Sequence, residues 1–402
     1  MTPPSPENSP PSKAISTMKT IVILGAGLAA IPLIRQTMVN TVLERNNLKL
    51  IVVAPNTHFQ WPIAMPRAVV LGQLADNKVF IDLEPTFKDF PPSKFEFVQG
   101  KASSLEPASN LVTVALNDGG TQTVTYDVLI IATGARAREG MPWKSLDTSE
   151  KTKLKLHSLQ EQVKNARTIV VAGGGITGVE TAGEIGFEYS ESEKDVFFIH
   201  DNPLPLGPPV IDSVRKQCKT ELEKLKVNII PNTTVVSATP SGNDIVLELR
   251  NSDGTTKSLT AQAYLPSTGI IPNPEFAPAS LKDSKGYIKQ TTQLQAEGHP
   301  NIFVIGDAGN LEVSKVHYAE AQAVHLIKNL PTYLDGGKMP EYAINPKQVF
   351  GITIGRSRGT GQVGTWKVFS FPIWFLKGRY LGTEYAEGWA SGKRTVAKTF
   401  ER

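Results

Sequence analysis

Two stretches constrain this chain more than anything else in it: TIVILGAGLAA at 20–30 and TIVVAGGGITG at 168–178. Each is a β-branched run, then glycines, then a helix start. An apolar run closed by glycine reads as a strand buried on both faces of a parallel sheet. The pattern G-x-G-x-x-G/A has a mechanical basis. The first glycine makes a tight turn and the second lets backbone approach a diphosphate. A small third residue lets helix and strand pack closely. The anion then sits on helix N-terminal amides, where the dipole favours it by roughly 0.3–1 kcal/mol, up to about 2. The first turn supplies Gly25, Gly27 and Ala30; the second supplies Gly173, Gly175 and Gly178. Either turn alone is a weak signal, because glycines also serve packing. Two turns, each after a strand and before a helix, predict two dinucleotide sites on one chain.

The surrounding pattern repeats with them. After the first turn come a helix (27–40), the strand LKLIVVA (48–54), an alternating region (95–126) with Asn117-Asp118-Gly119-Gly120 as its hairpin, and YDVLIIATGAR (126–136). After the second come a helix (176–189), DVFFIH (195–200), a Lys/Glu-rich helix (210–225), a strand pair turning at 242–244, and AYLPSTG (263–269). NIFVIGDAGN (301–310) reads as a last buried strand before a helix at 316–330. The expected fold is α/β: two Rossmann-like three-layer dinucleotide-binding domains plus a small C-terminal α+β domain. The expected boundaries are a disordered tail at 1–17, an FAD domain from 18–150 and 265–330, an NAD(P)H domain at 151–264, and the small domain at 331–402.

Two dinucleotides on one chain imply two-electron traffic between a nicotinamide and a flavin, FAD with NADH or NADPH. Thr133 and Gly134 close the first unit's last strand, and Gly269 closes the equivalent strand of the second. Gly306 and Asp307 follow the strand at 301, where a carboxylate suits the hydroxyls of a flavin's ribityl chain. Helix capping is the alternative role of Asp307.

Composition narrows the classes. With 402 residues the chain can hold two to four domains, and 40% hydrophobic with 20% charged residues suits a soluble globular protein. The net charge is +4. No run of consecutive basic residues favours nucleic acid. One cysteine allows neither an internal disulfide nor a Cys-x-x-Cys redox pair. The first 17 residues lack the apolar core of a signal peptide, and Thr2 excludes myristoylation. A cytoplasmic protein, or one peripheral to a membrane, is expected, and no metal site.

GAGLAA, YDVLIIATGA, GGGITGVETAGEI, STGIIPN and VIGDAGN together resemble the two-dinucleotide flavoprotein family that includes glutathione reductase and NADH dehydrogenases. The match runs over about 20–400. The missing cysteine pair sets aside the disulfide-reductase branch. GRSRGTGQVGTWKV (355–368) and FPIWFLKGRYLG (371–382) resemble the apoptosis-inducing-factor-2, or ferroptosis-suppressor, branch. That resemblance implies an FAD enzyme that oxidises NAD(P)H and reduces quinones or other acceptors. It places Glu180 at the nicotinamide amide and Lys377 near flavin and quinone, as candidate catalytic residues. Glu184, one turn on, suits a structural salt bridge. His317 and Tyr318 suit either the flavin ring or packing.

Two positions depart from the pattern. The second strand of such a unit usually ends in an acid that holds the ribose. The first unit has Ala54 there, with the Asn56 amide as a substitute. The second has His200, then Asp201, with no arginine for a 2′-phosphate, which favours NADH. The tail aromatics Trp366, Phe369, Phe371, Trp374 and Phe375 suit a quinone slot, a membrane contact, a dimer interface or the core of the small domain. A monomer and a homodimer are both open, as are two other functions: an oxidoreductase for one biosynthetic metabolite, and a redox-sensing NADH-binding signalling protein.

Overall fold

The computed structural model describes residues 18–400; the tail at 1–17 lies outside the described residues. The first glycine turn belongs to an eight-stranded sheet. Its parallel centre runs His299–Val304, Val128–Ile131, Lys19–Leu24, Leu48–Ala54 and Phe95–Glu106. Phe95–Glu106 continues into an antiparallel meander with Leu111–Leu116 and Thr121–Thr125, which turns at 117–120 as the sequence predicts. The second turn belongs to a four-stranded parallel sheet: Asn228–Ile230, Asp195–Ile199, Thr168–Ala172 and Ala263–Pro266.

Register places the site. Leu24 lies level with Val53 and Ile131, and Ile131 with Val304. Gly25, Thr133 and Gly306 therefore emerge together beyond one carboxyl edge of the sheet, where open α/β sheets bind ligands. In the second sheet Ala172 is level with Ile199 and Pro266, so Gly173, His200 and Ser267 emerge together. The two units are alike in this detail. A Cβ on Gly25 would press into the carbonyl of Ala132, and one on Gly173 into the carbonyl of Ser267. Each first glycine is thus required by the strand end that carries the Thr-Gly pair.

Three differences from expectation have local causes. The first helix is Ala30–Thr37, followed by a π turn at Met38–Val42. The strand expected over 126–136 is only Val128–Ile131, because the chain breaks at the turn and pairs Ala135–Ala137 with Ile270–Pro272 instead. The strand pair near 234–250 is a three-stranded sheet, Thr233–Ser241, Asp244–Asn251 and Thr256–Ala261, whose second turn holds Asp253 and Gly254.

The C-terminal unit has a three-stranded antiparallel sheet, Val349–Ile354, Arg358–Val363 and Trp366–Val368, then short helical turns and the helix Thr383–Ala390. It is tied to the first unit. Trp61 Nε1 donates to the Leu381 carbonyl and Trp389 Nε1 to that of Leu28, both at 2.8 Å. Both rings are fully buried and meet edge-on at 5.6 Å.

Candidate functional site

A cavity of about 820 Å³ opens along the carboxyl edge of the first sheet, near the upper end of the usual ~300–1,000 Å³ for small-molecule sites. It brings together Gly25, Gly27, Asn56, Thr133, Gly134, Glu180, Gly269, Gly306, Asp307 and Lys377. Ala30 is fully buried behind the turn, as the close-packing role requires. Gly173, Gly175, Gly178 and His200 lie apart from this cavity, at the edge of the second sheet.

The walls fit FAD. A Cβ on Gly27 would meet no protein atom within 4 Å, so the turn faces open space. Thr133 Oγ1 and Ser267 Oγ are buried in the wall without hydrogen-bond partners. Asn56 Nδ2 donates to the carbonyls of Ala26 (3.2 Å) and His58 (2.9 Å), fixing the strand end against the glycine turn. Both amide hydrogens are thereby committed, and the carbonyl oxygen is left to accept from a ribose hydroxyl, as an acid would. Asp307 pairs with Lys144, a cavity residue that no sequence pattern singled out.

At the other end, Glu180 is 4% exposed on the helix Ile176–Tyr189. Its Oε1 accepts from Lys377 Nζ at 2.6 Å and from the Thr353 amide at 3.1 Å. Lys377 Nζ also donates to the Gly351 carbonyl at 2.9 Å. An ammonium has three hydrogens, so one remains. The lysine is therefore a held, partly buried group rather than a solvated surface one. One turn along, Glu184 forms a buried ion pair with Arg67 at 2.8 Å. Arg67 also donates to the carbonyls of Gly378 (2.9 Å) and Arg379 (3.3 Å). This arginine joins both units and the C-terminal segment, and no local motif around it pointed to that role.

His317 lines the cavity, with Nε2 buried and unpartnered. Burial, and secondly Lys315, push its pKa below the ordinary imidazole value, against a smaller opposing pull from Glu312. Tyr318 is buried outside the cavity wall, its hydroxyl on the Asn345 carbonyl.

Two expectations are corrected. His200 is 2% exposed, tucked under Gly174 and against Phe198, with both ring nitrogens unpartnered. The adjacent Asp201 is the exposed carboxylate at that strand end. The five tail aromatics do not form a domain core: Trp366, Phe369, Phe371 and Phe375 are 53–79% exposed, and none of the five lines the cavity. The cavity wall in that segment is Val349, Phe350, Gly351 and Lys377.

The sequence pattern of the pyridine nucleotide-disulphide oxidoreductase family matches residues 19–323. The chain belongs to that family. It is 35% identical over 363 residues to oxidoreductase ptaL of Pestalotiopsis fici, covering 89% of this chain and 94% of that one. It is 27% identical over 369 residues to ferroptosis suppressor protein 1 of Homo sapiens, covering 90% and 93%. The fold is shared with sulfide:quinone oxidoreductase from Aquifex aeolicus (TM-score 0.75, 18% identity, 95% and 94% covered). It is also shared with NDH2 from Plasmodium falciparum in complex with NADH (TM-score 0.75, 14% identity, 93% and 96% covered). The enzyme class follows: an NAD(P)H-dependent FAD oxidoreductase. Among the described residues no helix is long and apolar enough to cross a membrane.

Proposed function

We propose that the protein oxidises NADH and reduces a quinone-like acceptor: NADH + H⁺ + quinone → NAD⁺ + hydroquinone. The Glu180–Lys377 pair carries this reading. It stands where the second unit's dinucleotide helix meets the flavin cavity, with a lysine hydrogen to spare. FAD supplies the two-electron relay when bound. The amides at Gly175 and the start of Ile176–Tyr189 receive the nucleotide's diphosphate. Glu180 Oε1 orients the nicotinamide amide. Lys377 Nζ, already on Glu180 and Gly351, gives its third hydrogen to an acceptor oxygen. Asp307 and the Asn56 carbonyl hold the hydroxyls of FAD.

Steady-state NADH oxidation with and without a soluble quinone tests the acceptor. The expected result is stimulation of more than tenfold over oxygen alone; no stimulation contradicts it and favours a single metabolite as acceptor. Slow turnover with a stable NADH complex favours a signalling role instead. Asp201 at the strand end, without an arginine, supports NADH as donor, and kcat/KM is expected to favour NADH over NADPH by at least about tenfold. Comparable values for the two nucleotides would overturn that preference.

The exposed aromatics support a peripheral contact. Residues 342–383 hold six Lys/Arg and no Asp/Glu, and Arg379 lies over the rings of Trp374, Phe375 and Tyr380. A basic aromatic face suits anionic lipid. Co-sedimentation with anionic vesicles is expected to weaken in a Phe371→Ser/Phe375→Ser variant; equal binding of the variant would contradict it.

A further inference from the structure

Six Lys or Arg side chains line the cavity, and five have a carboxylate partner. Lys101 and Lys151 share Asp147, Arg136 pairs with Glu275, Lys144 with Asp307, and Lys377 with Glu180. The sixth, Lys315, has none among the described residues. Its Nζ donates to the neutral amide of Gln348 at 2.8 Å. It lies 5.5 Å from the Tyr318 ring centroid and 5.9 Å from that of Phe350. Burial lowers its pKa.

Two further facts make this an unfavourable place for a lone cation. Lys315 caps the N-terminus of the helix Val316–Leu334, the positive end of the helix dipole, where cations are disfavoured and anions favoured. His317 brings no negative charge, and Glu312, whose Oε2 accepts from Tyr342 and Gln322 and whose Oε1 is buried without a partner, makes no ion pair with Lys315. A half-buried ammonium, a helix N-terminus and the Phe350 ring thus meet on one wall, with the Tyr318 ring packed behind it. That wall is not the diphosphate end of the cavity. Lys315 adjoins Phe350, and Lys377 is bonded to the next residue, Gly351. Lys315 therefore stands beside the Glu180–Lys377 end, the acceptor end in the reading above, while the preceding Ser314 accepts from Lys144 on the Asp307 side.

We propose that Lys315 is the anion-binding point of the acceptor subsite, and that the acceptor is a planar aromatic with an ionised oxygen, such as a hydroxyquinone anion, rather than a neutral quinone. This rests on the electron-transfer reading above. The ionised oxygen takes no part in the redox step: NADH + H⁺ + hydroxyquinone anion → NAD⁺ + the corresponding hydroquinone anion. Lys315 binds the charge, and Phe350 supplies a face for the ring.

The test compares the FAD-loaded wild type with Lys315→Met and Lys315→Arg, using lawsone, an anion at neutral pH, and menadione, a neutral quinone of similar size. The change in the ratio of the two KM values from wild type to variant cancels the quinones' different reduction potentials. Lys315→Met is expected to raise KM for lawsone about tenfold more than for menadione, the scale of one charge-assisted hydrogen bond; Lys315→Arg should restore most of it. Equal changes for both quinones would overturn the proposal. So would a parallel loss in the rate of flavin bleaching by NADH, which would mean that Lys315 serves the flavin itself. Equilibrium binding of lawsone to the oxidised enzyme, read by flavin fluorescence, makes the same comparison without turnover. If electron transfer to quinones fails altogether, weaker lawsone binding by Lys315→Met still supports the site, and unchanged binding still refutes it.

Discussion

Arg67→Met is expected to lower the unfolding free energy by about 3–5 kcal/mol, the usual cost of leaving one member of a buried ion pair uncompensated. The Arg67 and Glu184 side chains are 6% and 1% exposed, and the remaining cation, Arg356, stands 3.7 Å from Glu184 Oε2 without a hydrogen bond, so it compensates the stranded carboxylate only weakly. The carbonyls of Gly378 and Arg379 lose a donor in the same change, which loosens the segment that holds Lys377. Urea unfolding measures the first effect. Adding Glu184→Gln should recover part of it, because the stranded charge is then gone. A loss below about 1 kcal/mol would show that the pair is dispensable.

The second large effect separates the two turns. Gly25 and Gly173 both have positive φ, +110° and +113°, and both back onto a backbone carbonyl. Alanine at either site forces the turn open, at a cost of roughly 3 kcal/mol or more, which is over a hundredfold in ligand affinity. Gly25→Ala is expected to yield protein largely free of FAD. Gly173→Ala is expected to keep FAD and its colour while NADH no longer bleaches it at ordinary concentrations. Visible spectra of both variants, with circular dichroism to confirm folding, decide the matter. Loss of FAD in both variants, or in neither, would contradict the division of labour between the turns.

These residues also show what the sequence could reveal. The glycine turns, the Thr-Gly strand ends, Asp307 and the hairpin at 117–120 depend on local backbone geometry, so their pattern is written in consecutive residues. The third strand at Thr256–Ala261 carried a turn signal as well, in Asp253 and Gly254, that a reading limited to two strands passed over. Arg67 is different in kind. Its partners lie 117 and more than 300 residues away, and nothing near it in sequence distinguishes a buried clamp from a surface arginine. Lys144 and Lys315 are similar: their meaning lies in which neighbours carry charge, and that is a property of the assembled cavity. His200 misled for a related reason. Its place at the strand end was read correctly, but whether a side chain there faces the ligand or the core depends on the segment packed against it. The tail aromatics erred the other way, since exposure cannot be read from composition.

Transfer of electrons from NADH through bound flavin to a quinone is tested most simply by an anaerobic titration of the purified protein with NADH, followed in the visible spectrum and ended by adding a soluble quinone. The expected result is a bound-flavin spectrum that bleaches with one NADH per flavin and recovers on quinone addition. A flavin that NADH leaves oxidised, or a protein that takes up no FAD because Asn56 cannot stand in for the acid missing at Ala54, would contradict it.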